Sequence, residues 1–169
     1  VRNVQTQAYL EFARARTGPL YRSACLLAGG DTHLAEDLVQ ETLGRMYLVW
    51  GRTSKLGNPA AYAQTVLVRA FLTHRRRRSS AERPIAEPPD LASAPGGDAA
   101  LRITLLEALA RLAPKDRVVL VLRYWEDRSI EETAAAMDTT PGAIRTRCVR
   151  ALGRLRDELG GELADLIAH

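Results

Sequence analysis

Five residues near the C-terminal end, Ser129, Glu132, Asp138, Thr140 and Pro141, limit the fold of this chain more tightly than any others. Ser129 followed three positions later by Glu132 predicts a reciprocal capping box, with Ile130 to Met137 as a short, alanine-rich helix. Asp138-Thr139 breaks that helix, Thr140 caps the next, and Pro141 takes the first helical position, where its missing N–H costs nothing. Two short helices joined by a tight turn, the second rich in arginine, form the helix-turn-helix geometry that sets a recognition helix in the major groove. The pattern predicts a duplex-DNA ligand.

On the second helix Ile144, Cys148, Leu152, Leu155 and Leu159 recur at spacings of three and four, an apolar stripe that faces a core. At about 100° per residue, Gly142, Thr146, Val149, Arg150 and Gly153 fall on the opposite side, with Arg145 and Arg147 on the flanks. Thr146 and Arg150 are candidates for base edges. Arg145 and Arg147 can reach bases or phosphates, arginine being suited to bidentate guanine contacts. The plainer alternative is a solvated basic face.

A net charge of +4 suits a nucleic-acid partner without requiring one. The 46% of hydrophobic residues suffices for packed cores. Cys25 and Cys148 lie far apart in apolar helical patterns and read as small core residues of a reducing compartment, not a disulfide or metal pair. His33, His74 and His169 are isolated, so no metal site and no cofactor are expected. No apolar run approaches a membrane span, and the polar, acidic first dozen residues are no secretory signal. A cytoplasmic location is expected.

Between Ser79 and Asp98 four prolines and two glycines replace helical periodicity, the composition of an extended tether. Fully stretched, such a segment spans roughly 65–70 Å, enough to set two domains one to two turns of DNA apart at about 34–36 Å per turn. Upstream everything reads as helix: Gln7 to Arg16, Leu20 to Leu27 ended by Gly29-Gly30, and His33 to about Trp50 capped by Asp31 or Thr32. Leu34, Leu38, Leu43, Met46, Tyr47 and Trp50 form the apolar face of that third helix. After a loop from Gly51 to Gly57, Asn58-Pro59 starts a further helix by cap and N1 proline. The expected fold is all-α, two small helical domains (1–78 and 100–169) joined by a flexible Pro/Gly-rich linker (79–99).

The last N-terminal helix ends in a collar, Arg75 to Arg78, with Tyr62, Arg69, Phe71 and Trp50 upstream. Basic side chains track a phosphate backbone, and aromatic rings stack on unpaired bases. Trp50 and Phe71 read as core, leaving Tyr62, beside the loop, as the ring for a base contact. The acidic cluster Glu36, Asp37, Gln40, Glu41 would repel DNA; on residue chemistry alone it faces solvent or a basic protein.

Taken together, LAEDLVQETLGRMYLVW resembles the second conserved region of bacterial sigma factors, and NPAAYAQTVLVRAFLTHRRRR the promoter-reading helix of that region. Leu112 to Leu159 resembles the fourth conserved region. Direct joining of the two by a short linker resembles the extracytoplasmic-function group, in an actinomycete-like form marked by Asn58-Pro59-Ala60-Ala61-Tyr62. The resemblance implies a non-enzymatic subunit that binds core RNA polymerase, directs it to promoters and assists strand opening. It implies that Asp37, Gln40 and Glu41 dock on polymerase, replacing the solvent reading. It further implies single-stranded minus-ten contacts by Arg52, Asn58, Tyr62, Arg69, Arg75 and Arg76. Duplex minus-thirty-five contacts would come from Thr140, Gly142, Arg145, Thr146, Arg147 and Arg150, and regulation from another molecule such as an anti-sigma protein. The chain departs from the family pattern at Leu43, Arg69 and Thr73. The alternative function is a stand-alone helix-turn-helix regulator.

Overall fold

The computed structural model describes the backbone of residues 2–55, 57–80 and 97–167. Among them the order is α1 (Arg2–Leu27), α2 (Thr32–Thr53), α3 (Pro59–Ser80), α4 (Gly97–Arg111), α5 (Pro114–Leu120), a π-helical turn (Val121–Trp125), α6 (Ile130–Ala136) and α7 (Pro141–Ile167). No strand occurs among the described residues.

The helix starts follow local chemistry. The Asp31 carboxylate accepts from the Leu34 N–H at 3.1 Å and starts α2, and Asn58 Oδ1 accepts from the Ala61 N–H at 3.0 Å to start α3. The Ser129/Glu132 capping box is present in both directions, 3.0 and 3.1 Å. Thr140 Oγ1 accepts from the Ala143 N–H at 3.2 Å to open α7.

Other boundaries differ from expectation. The two helices expected over Gln7–Arg16 and Leu20–Leu27 are one, with Pro19 inside it. Pro19 removes one helical donor, but Phe12, Leu20, Ala24 and Leu27 all pack in the same core, and that burial keeps the helix running. Gly51 and Arg52, expected in the loop, belong to the last turn of α2, because Thr53 is buried and its hydroxyl donates back to the Val49 carbonyl at 3.0 Å. The expected linker 79–99 is helical at both ends, in α3 to Ser80 and in α4 from Gly97; its middle, 81–96, lies outside the described residues.

Helices α1, α2 and α3 enclose a core of Leu20, Leu38, Met46, Leu67 and Phe71, all without solvent access or nearly so. Full burial of such side chains is worth roughly 1.5–3 kcal/mol each. Tyr9 and Phe12 meet Trp50 at ring distances of 5.7 and 4.9 Å, and the Tyr9 hydroxyl donates to the Leu43 carbonyl at 2.6 Å, tying α1 to α2. Tyr47, expected on the core face, is 55% exposed, stacked edge-on against Tyr9 at 5.1 Å.

The two halves do not stand apart. Val118, Val121, Leu122 and Ala136 of the second half complete the core of the first. The α1–α2 turn approaches α4 so closely that a Cβ on Gly29 would lie 2.6 Å from that of Ala110, at a φ of +63° that also favours glycine. Gly29→Ala should therefore destabilise the protein by more than about 1 kcal/mol. Gly44, exposed in the middle of α2 with open space around it, gives the opposite expectation: Gly44→Ala should stabilise by up to about 1 kcal/mol. Denaturant midpoints of the two variants check both signs.

Candidate nucleic-acid and protein interfaces

On α7 the inward positions are Ile144, Cys148 and Ala151, each no more than 8% exposed, and these fix the helix azimuth. Gly142, Ala143, Arg145, Thr146, Val149 and Arg150 point outward. A groove of about 520 Å³ runs along this face, lined by Gly142, Ala143, Thr146, Arg147, Arg150, Arg154 and the floor residue Asp116. Thr140 serves as the cap of α7, at the end of that groove. Arg145 turns aside toward Glu131 of α6, at 3.9 Å between exposed groups.

Asp116 was not anticipated as a site residue. It is 1% exposed and accepts from Arg147 at 3.1 Å and from Arg154 at 2.5 Å. Arg147, expected to reach bases or phosphates, is paired with a buried carboxylate along with Arg154. The pair of guanidinium groups on one acid leaves the groove net positive while holding both side chains in place. A single aspartate near the start of α5 carries no pattern that would have marked it.

In the first half, Asp37, Gln40 and Glu41 share the exposed face of α2 with Glu36, opposite the buried Leu34, Leu38 and Thr42. Glu41 pairs with Arg45 at 2.8 Å. Beside the acidic residues stand Tyr47 and Leu48, 55% and 81% exposed. An acidic face with an apolar margin suits a protein partner better than a polyanion.

The residues expected to meet single-stranded DNA separate into groups. Arg52 and Tyr62 are exposed at the end of α2 and in the first turns of α3. Asn58 faces a cleft of about 450 Å³ closed on its other side by Trp125, Glu126, Asp127, Arg128 and Glu132 of the second half. Arg69, Arg75 and Arg76 line a second cleft of about 760 Å³ together with Lys115, Asp138 and Arg147. The α3 helix thus meets the second half along much of its length. His74, between these cations, is held below the usual histidine range by burial and then by Arg78 and Arg75, with Asp31 and Asp37 opposing.

At the seam the charges are buried. Arg128, 9% exposed, donates to the Ala61 carbonyl at 2.6 Å and to Thr65 Oγ1 at 3.0 Å. Its Nε lies 3.3 Å from Glu126, whose carboxylate also accepts from Ser23 Oγ at 3.1 Å. Arg117, 3% exposed, donates to the Leu27 carbonyl at 2.7 Å and sits over the Phe71 ring; burial, followed by Arg75, lowers it to about 10. The π turn positions these groups: the Glu126 N–H reaches back five residues to the Val121 carbonyl, and Asp127 takes a φ of +54°.

A helix-turn-helix with a basic groove, preceded by a helical domain with an exposed acidic face, is the architecture of a two-region transcription initiation factor. Residues 14–81 match Sigma-70 region 2 and residues 102–155 match Sigma-70, region 4. The RNA polymerase sigma-E factor of Streptomyces coelicolor is 39% identical over 153 residues, covering 88% of this chain and 84% of that one. The ECF RNA polymerase sigma factor SigD of Mycobacterium tuberculosis is 30% identical over 158 residues, covering 89% and 71%. Among solved structures, the sigma factor RpoE of Bartonella quintana, in complex with the anti-sigma factor NepR, has the same fold. Its TM-score is 0.69 at 24% identity, with coverage of 90% of this chain and 97% of that one. The chain belongs to the extracytoplasmic-function RNA polymerase sigma factors, and its function is to direct transcription initiation.

Burial raises Glu126 above the usual 4.5, against the lowering effects of Arg128, Ser23 and Arg16. The folded protein therefore holds this proton more tightly than the unfolded chain. Its contribution to stability is full below the ordinary carboxylate value and is lost as pH rises through the raised one. Relative to wild type, Glu126→Gln should gain stability between acidic and neutral pH. Denaturant midpoints of the two proteins across that range test it; a gap that is constant or moves the other way contradicts the assignment.

Proposed function

We propose that this sigma factor docks on core RNA polymerase through Asp37, Gln40 and Glu41 and reads promoters with two separate surfaces. The supporting observation is the division of chemistry. The α2 face is acidic and apolar, whereas the α7 groove is basic, small-sided and built on a helix-turn-helix. Gly142, Thr146 and Arg150, with Arg147 steadied by Asp116, take the duplex minus-thirty-five element; Arg145 and Thr140 flank it. Tyr62 stacks on an unpaired minus-ten base, with Asn58 and Arg52 beside it and Arg69, Arg75 and Arg76 on the phosphates.

The polymerisation chemistry belongs to the core enzyme, and the chain works beside it in the cytoplasm. The relative from Bartonella quintana was solved with an anti-sigma factor, and an inhibitor protein of that kind is the regulatory partner we infer here. The matched region 2 argues against a stand-alone helix-turn-helix regulator, which needs no polymerase-docking domain.

Transcription in vitro with purified core enzyme tests the whole reading. Asp37→Lys with Glu41→Lys should abolish co-elution with core polymerase while costing no more than about 1 kcal/mol of stability, since both carboxylates are exposed and only the Glu41–Arg45 pair is lost. Co-elution at wild-type affinity would remove this face from the docking site. Arg150→Ala should weaken minus-thirty-five binding by about 1–3 kcal/mol and relax preference at one base pair if the guanidinium reads a base. Selection of randomised promoters by wild-type and variant holoenzyme measures that; an unchanged profile and affinity would place Arg150 off the DNA.

A further inference from the structure

We infer that the larger cleft beside α3 is a binding site for a small polyphosphate anion, a ligand distinct from promoter DNA. The site stands on the cleft itself and on none of the DNA contacts proposed above. Its volume of about 760 Å³ lies in the range of roughly 300–1,000 Å³ that small-molecule sites occupy. The cations that line it come from three helices: Arg69, Arg75 and Arg76 from α3, Lys115 from α5 and Arg147 from α7. One carboxylate, Asp138, faces them. Five cations less one anion leave the lining at +4, as much as the whole chain carries. The rest of the molecule is balanced, and the excess charge sits in this cleft.

Little within the cleft offsets that charge. Asp138 lies 3.6 Å from Arg69, but the two side chains are 82% and 48% exposed, so the pair is screened and readily exchanged. Arg147 shares Asp116 with Arg154, two guanidinium groups on one carboxylate. Neighbouring groups register the excess. Arg117 is lowered to about 10 by burial and then by Arg75, and His74 is lowered by burial and then by Arg78 and Arg75. A concave surface lined by one sign of charge focuses the potential and gathers anions.

The chemistry of the lining selects among anions. Planar guanidinium forks match phosphate oxygens two at a time, and the Lys115 ammonium supplies a point charge. A triphosphate chain, with one charge on each inner group and nearly two on the last, carries about four negative charges and so matches the lining. Linked phosphates can also engage cations of several helices at once. Beside the cations, Leu72, Pro114, Ala136 and Met137 form an apolar strip that no phosphate needs. Such a strip suits the ring of a nucleoside, methionine being an adaptable partner for a planar group. An acidic peptide fits less well, because the side chains of the lining offer only Thr73 and Asp138 as acceptors for its amide groups. Nucleoside triphosphates and inorganic tripolyphosphate share the required chemistry, and the apolar strip favours the first. A ligand held by cations of both halves stabilises the contact between them.

Calorimetric titration of the free, full chain with ATP, GTP and inorganic tripolyphosphate tests the site, without magnesium so that the phosphates keep their charge. One ATP or GTP should bind per chain, and either should raise the melting temperature. Lys115→Ala removes an exposed cation of the cleft, whereas Arg150→Ala removes an exposed cation of the α7 groove outside it. The two variants lose the same charge, and neither change reaches a core. Lys115→Ala should bind ATP about tenfold more weakly, for the loss of one charge-assisted hydrogen bond, while Arg150→Ala binds it as wild type does. Unchanged binding by Lys115→Ala, equal weakening of both variants, or several ATP per chain would mean diffuse attraction to a basic protein and overturns the site. Absence of binding to all three compounds overturns it too. Tripolyphosphate should bind about tenfold more weakly than ATP, for want of a ring on the apolar strip. Equal affinities overturn the nucleoside assignment and leave an inorganic polyphosphate as the ligand.

Discussion

Buried charge organises this molecule. Among the described residues Asp116, Arg117 and Arg128 are at least nine-tenths removed from solvent, and the Glu126 side chain is equally enclosed. An unpaired charge in such surroundings carries a penalty of several kcal/mol, so each must find partners before its helix can settle. Arg128 and Glu126 find theirs on α1 and α3, Arg117 on the end of α1, and Asp116 on α7. These requirements fix the placement of α5, the π turn and α6 between the first half and the recognition helix. Apolar burial alone would tolerate sliding; hydrogen-bonded charges do not.

The same logic explains the recognition groove. Long arginine side chains on an exposed helix lose considerable rotamer freedom when a ligand fixes them. Asp116 beneath Arg147 and Arg154 removes part of that loss in advance, because both guanidinium groups are already drawn to one carboxylate. Arg150 has no such anchor in the groove and keeps its reach. Thr146, also lining the groove, has its hydroxyl engaged with the Gly142 carbonyl at 3.2 Å. The groove thus contains pre-set and adaptable cations side by side.

Much of this was legible in the sequence wherever the cause is local. Asp31, Asn58, Ser129 and Thr140 cap helices because a side-chain oxygen meets an N–H three residues on, an event that needs no tertiary partner. The Ile144/Cys148 stripe and the burial of Trp50 and Phe71 follow equally from spacing and size. What escaped sequence reading depends on distant chain. Pro19 ends a helix by every local rule, yet Leu20, Ala24 and Leu27 keep it going through a core shared with Val118 and Leu122. The π turn has no local code, and its role is visible only once Ser23 and Thr65 stand opposite. Tyr47 fits the apolar period of α2, but Tyr9 reaches the ring from its edge and leaves it in solvent.

Exposed apolar and acidic groups on α2 and small, basic groups on α7 are two solutions to different solvation problems. Asp37 and Glu41 are hydrated in the free chain and lose that hydration only against a surface that returns charge, whereas Tyr47 and Leu48 gain by leaving water. A partner satisfying both must present cations next to an apolar patch, which a protein can do and a DNA backbone cannot. On α7, glycine and alanine at 142 and 143 leave room for a backbone to approach closely, and the cations beyond them suit an anionic surface. Because the two faces belong to separate halves, neither need compromise for the other, and their relative placement falls to the seam that joins them.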